Sequence, residues 1–163
     1  MKKTSQQLRM DSWFAVVRAY QTCAGQFEVL MKECGLTSVQ YEALAVIQHL
    51  GGKARLSDMA ARLSVTKGNT TSLARRLEQA GLVSISAGTE DRRTQWLMLT
   101  NRGTRLFGRA QKAAGRFIAS QLEPFSDDQC LQVHDYMQHM TSHLKTMNPV
   151  ALAAGSKTNE KEV

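Results

Sequence analysis

The sequence of 163 residues lacks the features of a membrane or secreted protein. It has no apolar run long enough to cross a bilayer. Its start, Met1-Lys2-Lys3 followed by more polar residues, has none of the apolar segment of a signal peptide. Three cysteines, an odd number, do not form the disulfide framework of a small secreted protein. These absences predict a cytoplasmic protein with no membrane partner.

Sequence signatures of the common enzyme classes are missing as well. There is no Gly-rich phosphate loop, no nucleophile elbow and no Cys/His metal pattern at standard spacing. Asp135, His139 and His143 recur at helical spacing beside His134, which raises the question of a metal site. A zinc site needs three or four converging ligands, and no cysteine lies at helical spacing from Asp135, His139 and His143. We therefore expect no enzymatic activity, no metal and no cofactor.

What the chain does have is positive charge concentrated in its middle. The formal net charge is +7 and the pI is near 9.6, which favours a polyanionic partner such as nucleic acid. Residues 53–109 contain eleven lysines and arginines against four acidic residues, so this segment carries the whole excess. The hydrophobic fraction of 42% is ordinary for a globular protein, so a packed core is expected.

Apolar residues at helical spacing, together with capping residues, predict a mainly α-helical chain. Thr37 with Gln40, and Ser126 with Gln129, have the form of capping boxes. Ser57, Thr66 and Thr100 are further candidate N-caps. The helices are predicted over residues 8–34, 37–50, 58–63, 67–80, 101–122 and about 127–147.

Two β-rich segments, 82–85 and 96–99, follow the fourth helix and flank a polar segment that contains Gly88. Three helices joined by tight turns form a helix-turn-helix pattern. The predicted fold class is mainly α with a small β-hairpin wing, that is, a winged helix-turn-helix plus a helical dimerisation domain. The predicted boundaries are a DNA-binding domain at 37–100, a helical dimerisation region at 1–36 and 101–147, and a disordered tail at 148–163.

The fourth helix carries the polar side chains that a DNA-reading helix needs. Arg75 and Arg76 near its C-terminal end suit the helix dipole and can bind phosphate, whereas Leu73 and Leu77 are expected to face inward. The alternative is an ordinary surface helix with solvated polar residues. The candidates for base or phosphate contacts in its first turns are Thr66, Lys67, Asn69, Thr70, Thr71 and Ser72.

The predicted hairpin carries Asp91, Arg92 and Arg93 at its tip. Either arginine can reach a narrow minor groove, where the negative potential is enhanced. Phosphate repels Asp91, so this carboxylate is expected to hold a neighbouring arginine in its inserting conformation. The alternative is a solvated charged turn. A helix for the major groove joined to a basic hairpin tip predicts a reader of duplex DNA.

The segment from residue 36 to 103 resembles the MarR family of bacterial transcription regulators. This resemblance implies a winged helix-turn-helix homodimer, usually a repressor, that small anionic or phenolic ligands or oxidation sometimes release from DNA. It also implies that Asp91 orients Arg93 and that Arg93 is inserted. The matching residues are Leu36-Thr37, Gln40, Leu56, Ala60, Leu77-Glu78, Gly81-Leu82-Val83, Asp91-Arg92-Arg93, Leu99-Thr100 and Gly103.

Two positions depart from the family pattern. The family often has a proline before the wing aspartate, where this chain has Ala87-Gly88-Thr89-Glu90. The middle of the recognition helix often has an apolar residue and then an arginine, where this chain has Thr70 and Ser72. The operator sequence therefore does not follow from the resemblance, although a pseudo-palindromic operator does.

Apolar residues of the first, fifth and sixth helices are predicted to form a shared dimer core, with a monomeric helical core as the alternative. Two-fold symmetry would then place two recognition helices about 34 Å apart, one turn of DNA. The predicted dimer core is Trp13, Phe14, Tyr20, Phe27, Leu106, Phe107, Phe117, Ile118, Leu122, Leu131, Tyr136 and Met140.

Two kinds of effector are compatible with the sequence. A small aromatic or anionic inducer could bind a cleft lined by Trp13, Arg18, Tyr20 and His49, which we name as candidates only. Cys23 and Cys130 are candidate redox sensors, although a small buried hydrophobe is the simpler interpretation of Cys23. A winged-helix module that docks proteins without DNA specificity is a further alternative.

Overall fold

A computed structural model describes residues 3–63, 67–88 and 94–155 of the chain. The chain forms two compact units, Met1–Ile118 and Ala119–Val163. Among the described residues, no helix combines the length and the apolar character needed to span a membrane. The elements in chain order are α1 (Ser5–Glu33), α2 (Ser38–His49), β1 (Lys53–Arg55), α3 (Leu56–Leu63), α4 (Lys67–Gln79), β2 (Val83–Ala87), β3 (Gln95–Leu99), α5 (Asn101–Leu122), α6 (Asp127–Thr146) and α7 (Pro149–Gly155).

Capping boxes begin three of the long helices. The Gln40 N–H donates to the Thr37 hydroxyl at 3.2 Å, and the Thr37 N–H donates to Gln40 Oε1 at 2.9 Å. Ser126 and Gln129 repeat this pair of bonds at the start of α6. Both boxes were predicted and are confirmed. A third box, Thr4 with Gln7, begins α1 three residues before the predicted start.

Glycines in the left-handed region end α1 and α4 as predicted. Gly35 has φ 80°, and the next N–H, that of Leu36, donates to the Met31 carbonyl at 2.9 Å. Gly81 has φ 66°, and the N–H of Leu82 donates to the Leu77 carbonyl at 2.9 Å. These hydrogen bonds satisfy backbone carbonyls that would otherwise lack a partner at the end of a helix. They also turn the chain so that the residue after each glycine enters the core, where Leu82 is buried.

A short strand, β1, precedes α3 and was not predicted. Because β1 ends at Arg55, α3 begins at Leu56. Ser57 therefore lies inside α3, and the prediction that Ser57 caps this helix is wrong. Ala54 is buried between two exposed cations, Lys53 and Arg55. Three residues are too few for the alternation of a strand to stand out in a sequence.

The sheet has three antiparallel strands in the order β1-β3-β2. Leu97 at the centre of β3 pairs with Ala54 on one side and Ile85 on the other, and its side chain is fully buried. The predicted hairpin is confirmed at its base, where the Gly88 N–H donates to the Thr94 carbonyl at 2.8 Å. Residues 89–93, between these two positions, lie outside the described residues.

An aromatic cluster joins α1, α2 and α5 within one chain. Tyr41 lies 5.5 Å from Phe27 and stacks on Phe107 at 5.5 Å between ring centroids. Phe27 also lies 5.7 Å from Phe117. Burial raises the pKa of Tyr41 above its ordinary value. Phe107 is buried within its own chain, so its assignment to a dimer core is corrected, whereas Phe27, Phe117 and Leu106 are half-buried and their assignment stays a prediction.

The predicted disorder of residues 148–163 is corrected over its first half, because α7 spans Pro149–Gly155. The Asn148 side chain accepts from the N–H groups of Val150 and Ala151, at 3.1 and 3.2 Å. Proline also fits the first position of a helix, since it has no N–H to leave unsatisfied there. This local capping explains a helix in a segment whose composition favours disorder. Residues 156–163 lie outside the described residues.

Candidate nucleic-acid interface

The outer face of α4 forms a polar and cationic groove of about 540 Å³. We call it the helix groove. Its members lie at i, i+3, i+4, i+7, i+8 and i+11, so they share one face of an α-helix. Ser72, Arg75 and Arg76 are exposed. The residues that line the helix groove are Gly68, Thr71, Ser72, Arg75, Arg76 and Gln79.

The opposite face of α4 packs into the core. Leu73, Ala74 and Leu77 are buried, which confirms the inward orientation predicted for the two leucines. Thr70 lies on the same side, and its side chain is fully buried. Thr70 therefore cannot reach a base from this helix, and its place among the base-contacting candidates is corrected. The reason is helical geometry: Thr70, Leu73 and Leu77 are spaced at i, i+3 and i+7.

Glu78, the only acidic residue of α4, is used to hold the helix against the hairpin. Its carboxylate accepts the Ile85 N–H of β2 at 3.0 Å. A carboxylate that accepts a backbone N–H forms a charge-assisted bond, stronger than a bond between two neutral groups. Glu78 is not among the residues that line the helix groove, so the groove has no negative side chain from its own helix.

A second cavity, of about 470 Å³, lies between α4 and the base of the hairpin. We call it the hairpin cavity. Thr71 lines both this cavity and the helix groove, so the two adjoin at that residue. The hairpin contributes the residues just after its tip, Thr94 and Gln95. The hairpin cavity is lined by Arg55, Leu56, Ser57, Ala60, Thr70, Thr71, Thr94 and Gln95.

Sequence reasoning missed a cationic pair on β1. Lys53 Nζ lies 4.4 Å from the centroid of the Trp96 ring, and Arg55 Cζ lies 5.1 Å from it. No local signal marks this pair in the sequence, because only the pairing of β1 with β3 places the two cations beside Trp96.

The other predicted DNA-contacting residues fall into two groups. Asn69 is exposed on α4, and Thr71 is half-buried. The wing residues Asp91, Arg92 and Arg93 lie outside the described residues. So do Thr66 and the side chain of Lys67. Their assignments stay predictions.

The four proposed ligand-binding residues line neither the helix groove nor the hairpin cavity. Trp13 is 57% exposed and makes an edge contact with Phe14 at 4.9 Å, and Tyr20 is 73% exposed. Arg18 and His49 are also exposed. The helix groove and the hairpin cavity are lined by other residues.

The structure adds no support for a redox or metal site at the candidate residues. Cys23 and Cys130 are half-buried, and Cys34 is buried. Within the described parts of the chain, no group of three or more His, Cys, Asp or Glu side chains could hold a metal ion.

Comparison with known proteins agrees with this geometry. The sequence profile of the MarR family matches residues 36–94, which run from the start of α2 to the base of the wing. The HTH-type transcriptional repressor MdtR of Bacillus subtilis (strain 168) is 27% identical over 160 residues, 98% of this chain and 95% of MdtR. Residues 36–94 therefore match the MarR family of transcriptional regulators, and nearly the whole chain is similar to a transcriptional repressor.

Solved MarR-family structures confirm the predicted fold class. The organohalide-sensing regulator RdhR, solved with 2,4-dichlorophenol bound, superposes with a TM-score of 0.76 over 88% of this chain and 86% of RdhR, at 13% identity. A variant of Escherichia coli MarR in complex with operator DNA gives a TM-score of 0.73 over 85% of this chain and 99% of that one, at 15% identity. At these identities the likeness assigns the fold alone, a mainly helical winged helix-turn-helix with a small antiparallel sheet.

Proposed function

We propose that this chain is a dimeric, sequence-specific DNA-binding repressor that acts in the cytoplasm on a pseudo-palindromic operator. The observation that carries the proposal is the helix groove. It presents two arginines and several short polar side chains on the exposed face of α4, and that helix is anchored to the hairpin by Glu78. A helix of this kind fits a major groove, and its arginines suit phosphate. The E. coli MarR structure with operator DNA supports the same partner.

Within this proposal each side chain of α4 has a role that its position supports. Arg75 and Arg76 bind phosphates beside the major groove, together with Lys67 at the start of the helix. Asn69, Thr71 and Ser72 are the candidates for base contacts, because they are exposed or half-buried. Thr66 is expected near phosphate at the N-terminus of α4, where backbone N–H groups favour anions.

The wing supplies the second contact. Its arms are paired from Val83↔Leu99 to Ala87↔Gln95, so residues 89–93 connect the ends of two regular strands. Arg93 is proposed to enter the minor groove, with Asp91 holding it in place and Arg92 bonding a neighbouring phosphate.

Exposed apolar side chains support the homodimer and a helical dimerisation region at 1–36 and 101–147. On α1, Trp13, Phe14 and Tyr20 are 57%, 43% and 73% exposed. On α6, exposed apolar residues recur at helical spacing, namely Val133, Tyr136, Met137, Met140 and Leu144. Large exposed apolar surfaces of this kind are typical of association sites.

Ligand control is the finer part of the proposal. The RdhR structure contains 2,4-dichlorophenol, which supports a small aromatic or anionic inducer here. Trp13, Arg18, Tyr20 and His49 stay the candidates, and a dimer that covers the exposed Trp13 and Tyr20 could complete their site. A cysteine-based redox sensor at Cys23 or Cys130 is the alternative form of control. The cationic helix groove favours DNA over a protein-docking role or catalysis.

The decisive experiment is selection of bound sequences from a random duplex pool, repeated with reductant, peroxide and phenolic acids. We expect a two-fold-related site whose half-sites are about one turn of DNA apart. Release by a phenolic acid would identify an inducer, and release by peroxide that reductant reverses would identify a thiol switch. A pool that shows no enrichment at low salt would refute the function.

A further inference from the structure

Lys53 and Arg55 lie on one face of the sheet, over a shared aromatic ring. Arg55 is directly opposite Trp96 in the β1–β3 register, so their side chains lie on the same face. Lys53, two residues earlier, lies on that face as well. Both cations are within about 6 Å of the ring centroid, the range in which a cation–π attraction operates. Trp96 therefore limits the freedom of both side chains before any partner arrives.

Lys53 and Arg55 carry like charges beside one ring and therefore repel each other. Both side chains are exposed. Among the described residues, neither of them forms an ion pair with a carboxylate. The arrangement thus costs electrostatic energy in this chain alone, and an external anion would offset that cost.

The position of Arg55 identifies the anion. Arg55 lines the hairpin cavity together with Thr71 of α4 and with Thr94 and Gln95 at the base of the wing. A recognition helix in a major groove and a wing tip in the adjacent minor groove lie on either side of one sugar–phosphate backbone. A cation between the helix and the wing therefore faces that backbone.

We propose that Lys53 and Arg55, held on Trp96, form a third DNA contact that binds phosphates of the strand running between α4 and the wing. This inference rests on the proposed function. The contact is independent of sequence, because phosphates are the same at every base pair. Trp96 is a positioning residue that holds the two cations at the correct place and need not touch DNA itself.

The test is the salt dependence of binding to two 30-base-pair duplexes, one of the selected sequence and one scrambled. Each lost phosphate contact lowers the slope of log affinity against log salt by about 0.9. Over a fourfold salt range this corresponds to a change of about 3.5-fold in the affinity ratio of wild type to variant. We expect about this change for Arg55→Gln and for Lys53→Gln, and about 12-fold for the double variant. The loss should be equal on both duplexes.

Lys112→Gln is the matched control. Lys112 is exposed on α5, and its substitution removes the same charge away from the sheet. If Lys112→Gln changes the slope as much as Arg55→Gln does, the effect is that of net charge and the proposal is overturned. Wild-type slope and affinity in the double variant would also overturn it. A loss confined to the selected duplex would show that Arg55 reads bases, which contradicts a phosphate contact.

Variants at Trp96 test the positioning role. Trp96→Phe keeps an aromatic ring and should keep most of the affinity, whereas Trp96→Leu leaves both charges but removes the ring. We expect Trp96→Leu to weaken binding to both duplexes by a few-fold while the thermal stability of the dimer is unchanged. Trp96→Phe should restore the affinity. Equal affinity of the two variants would refute the positioning role. If the wild type binds neither duplex, the proposed function itself fails, which is a different result from binding that is insensitive to Lys53 and Arg55.

Discussion

The hydroxyl of Thr100 donates to the carbonyl of Gly81 at 2.7 Å, although nineteen residues separate them. The same oxygen accepts the N–H of Gly103 at 3.0 Å and so caps α5. One side chain thereby joins the turn that ends α4 to the start of α5. The end of α4 and the start of α5 are therefore held together by the Thr100 side chain.

Gly103, in the first turn of α5, has no room for a side chain. A Cβ at Gly103 would meet the backbone carbonyl of Leu82, which cannot rotate away. We expect Gly103→Ala to lower the free energy of unfolding by about 1–3 kcal/mol, as other overpacked sites do. Urea unfolding at fixed protein concentration measures the change.

Gly108→Ala is the control on the same helix. A Cβ at Gly108 would have no atom within 4 Å. Alanine should therefore stabilise the helix by about 0.5–1 kcal/mol, since glycine loses more backbone entropy on folding. Destabilisation at Gly108 equal to that at Gly103 would contradict the steric explanation.

The elements whose signals are local could be predicted from the sequence. Thr37 with Gln40 contains both halves of a capping box within four residues, and Gly81 follows the last apolar residue of α4. The wing arms were predicted because two apolar segments, 82–85 with Val83 and Ile85 and 96–99 with Trp96, flank a polar segment. Each of these signals depends on neighbours in the chain, so no tertiary information is needed.

Most of the features that were missed depend on contacts between distant residues. Thr70 was grouped with its neighbours Asn69 and Thr71 by residue type, although its spacing from the inward-facing Leu73 and Leu77 places it on the buried side of α4. Phe107 has the spacing of a dimer-interface residue, but its ring stacks on Tyr41, sixty-six residues earlier in the chain. Lys53 became a candidate only when the register of β1 placed it over Trp96.

Glu28 gives the structure a specific dependence on acid. Its carboxylate accepts the N–H of Ser38 at 3.0 Å, and it therefore joins α1 to the N-terminus of α2. Hydrogen bonding from Ser38, through its side chain and its backbone, lowers the pKa of Glu28 below its usual 4.5, with a smaller contribution from Lys32. Because the pKa is lowered in the folded state, this stabilisation is present above pH 4.5 and is lost as the pH falls through the folded value.

Glu28→Gln should therefore flatten the acid side of the stability profile. We expect wild type to lose stability faster than the variant below pH 4.5, and the two profiles to run parallel above pH 6. Thermal melts from pH 3 to pH 7 measure the difference. Glu33→Gln, an exposed glutamate on the same helix, is the control. Profiles that are parallel over the whole range would show that the bond to Ser38 does not favour the ionised form.

Thr70 and Thr71 form a matched pair on α4 for separating base contact from packing. Thr71 lines both the helix groove and the hairpin cavity, whereas Thr70 is fully buried. We expect Thr71→Val to change the base preference at one position of each half-site by about 1–3 kcal/mol. Thr70→Val should shift the melting temperature and leave the base preference unchanged. Competition binding against single-base variants of the selected site measures both. A change of preference in Thr70→Val alone would contradict the assigned orientation of α4.

Arg93→Ala should weaken operator binding by about 1–3 kcal/mol and reduce the salt slope by about one. The reason is loss of a cation from a narrow, electronegative minor groove. A gel-shift titration at several salt concentrations measures both quantities. Arg92→Ala is the matched control, and a phosphate contact at Arg92 should lower affinity by a similar factor on every duplex. Unchanged affinity in Arg93→Ala would remove the wing from the interface.

Met140 tests whether the exposed apolar face of α6 joins two protomers. Met140 is 38% exposed and lies in line with Val133, Met137 and Leu144. Met140→Lys would place a charge in a dry contact, where desolvation costs several kcal/mol, so we expect at least about a tenfold weaker dimer. Ser142→Lys, on the opposite face of α6, should leave the dimer intact. Sedimentation equilibrium measures both, and operator affinity should fall with dimerisation in Met140→Lys because a monomer engages only one half-site. An unaltered dimer in Met140→Lys would place the protomer contact on a different surface.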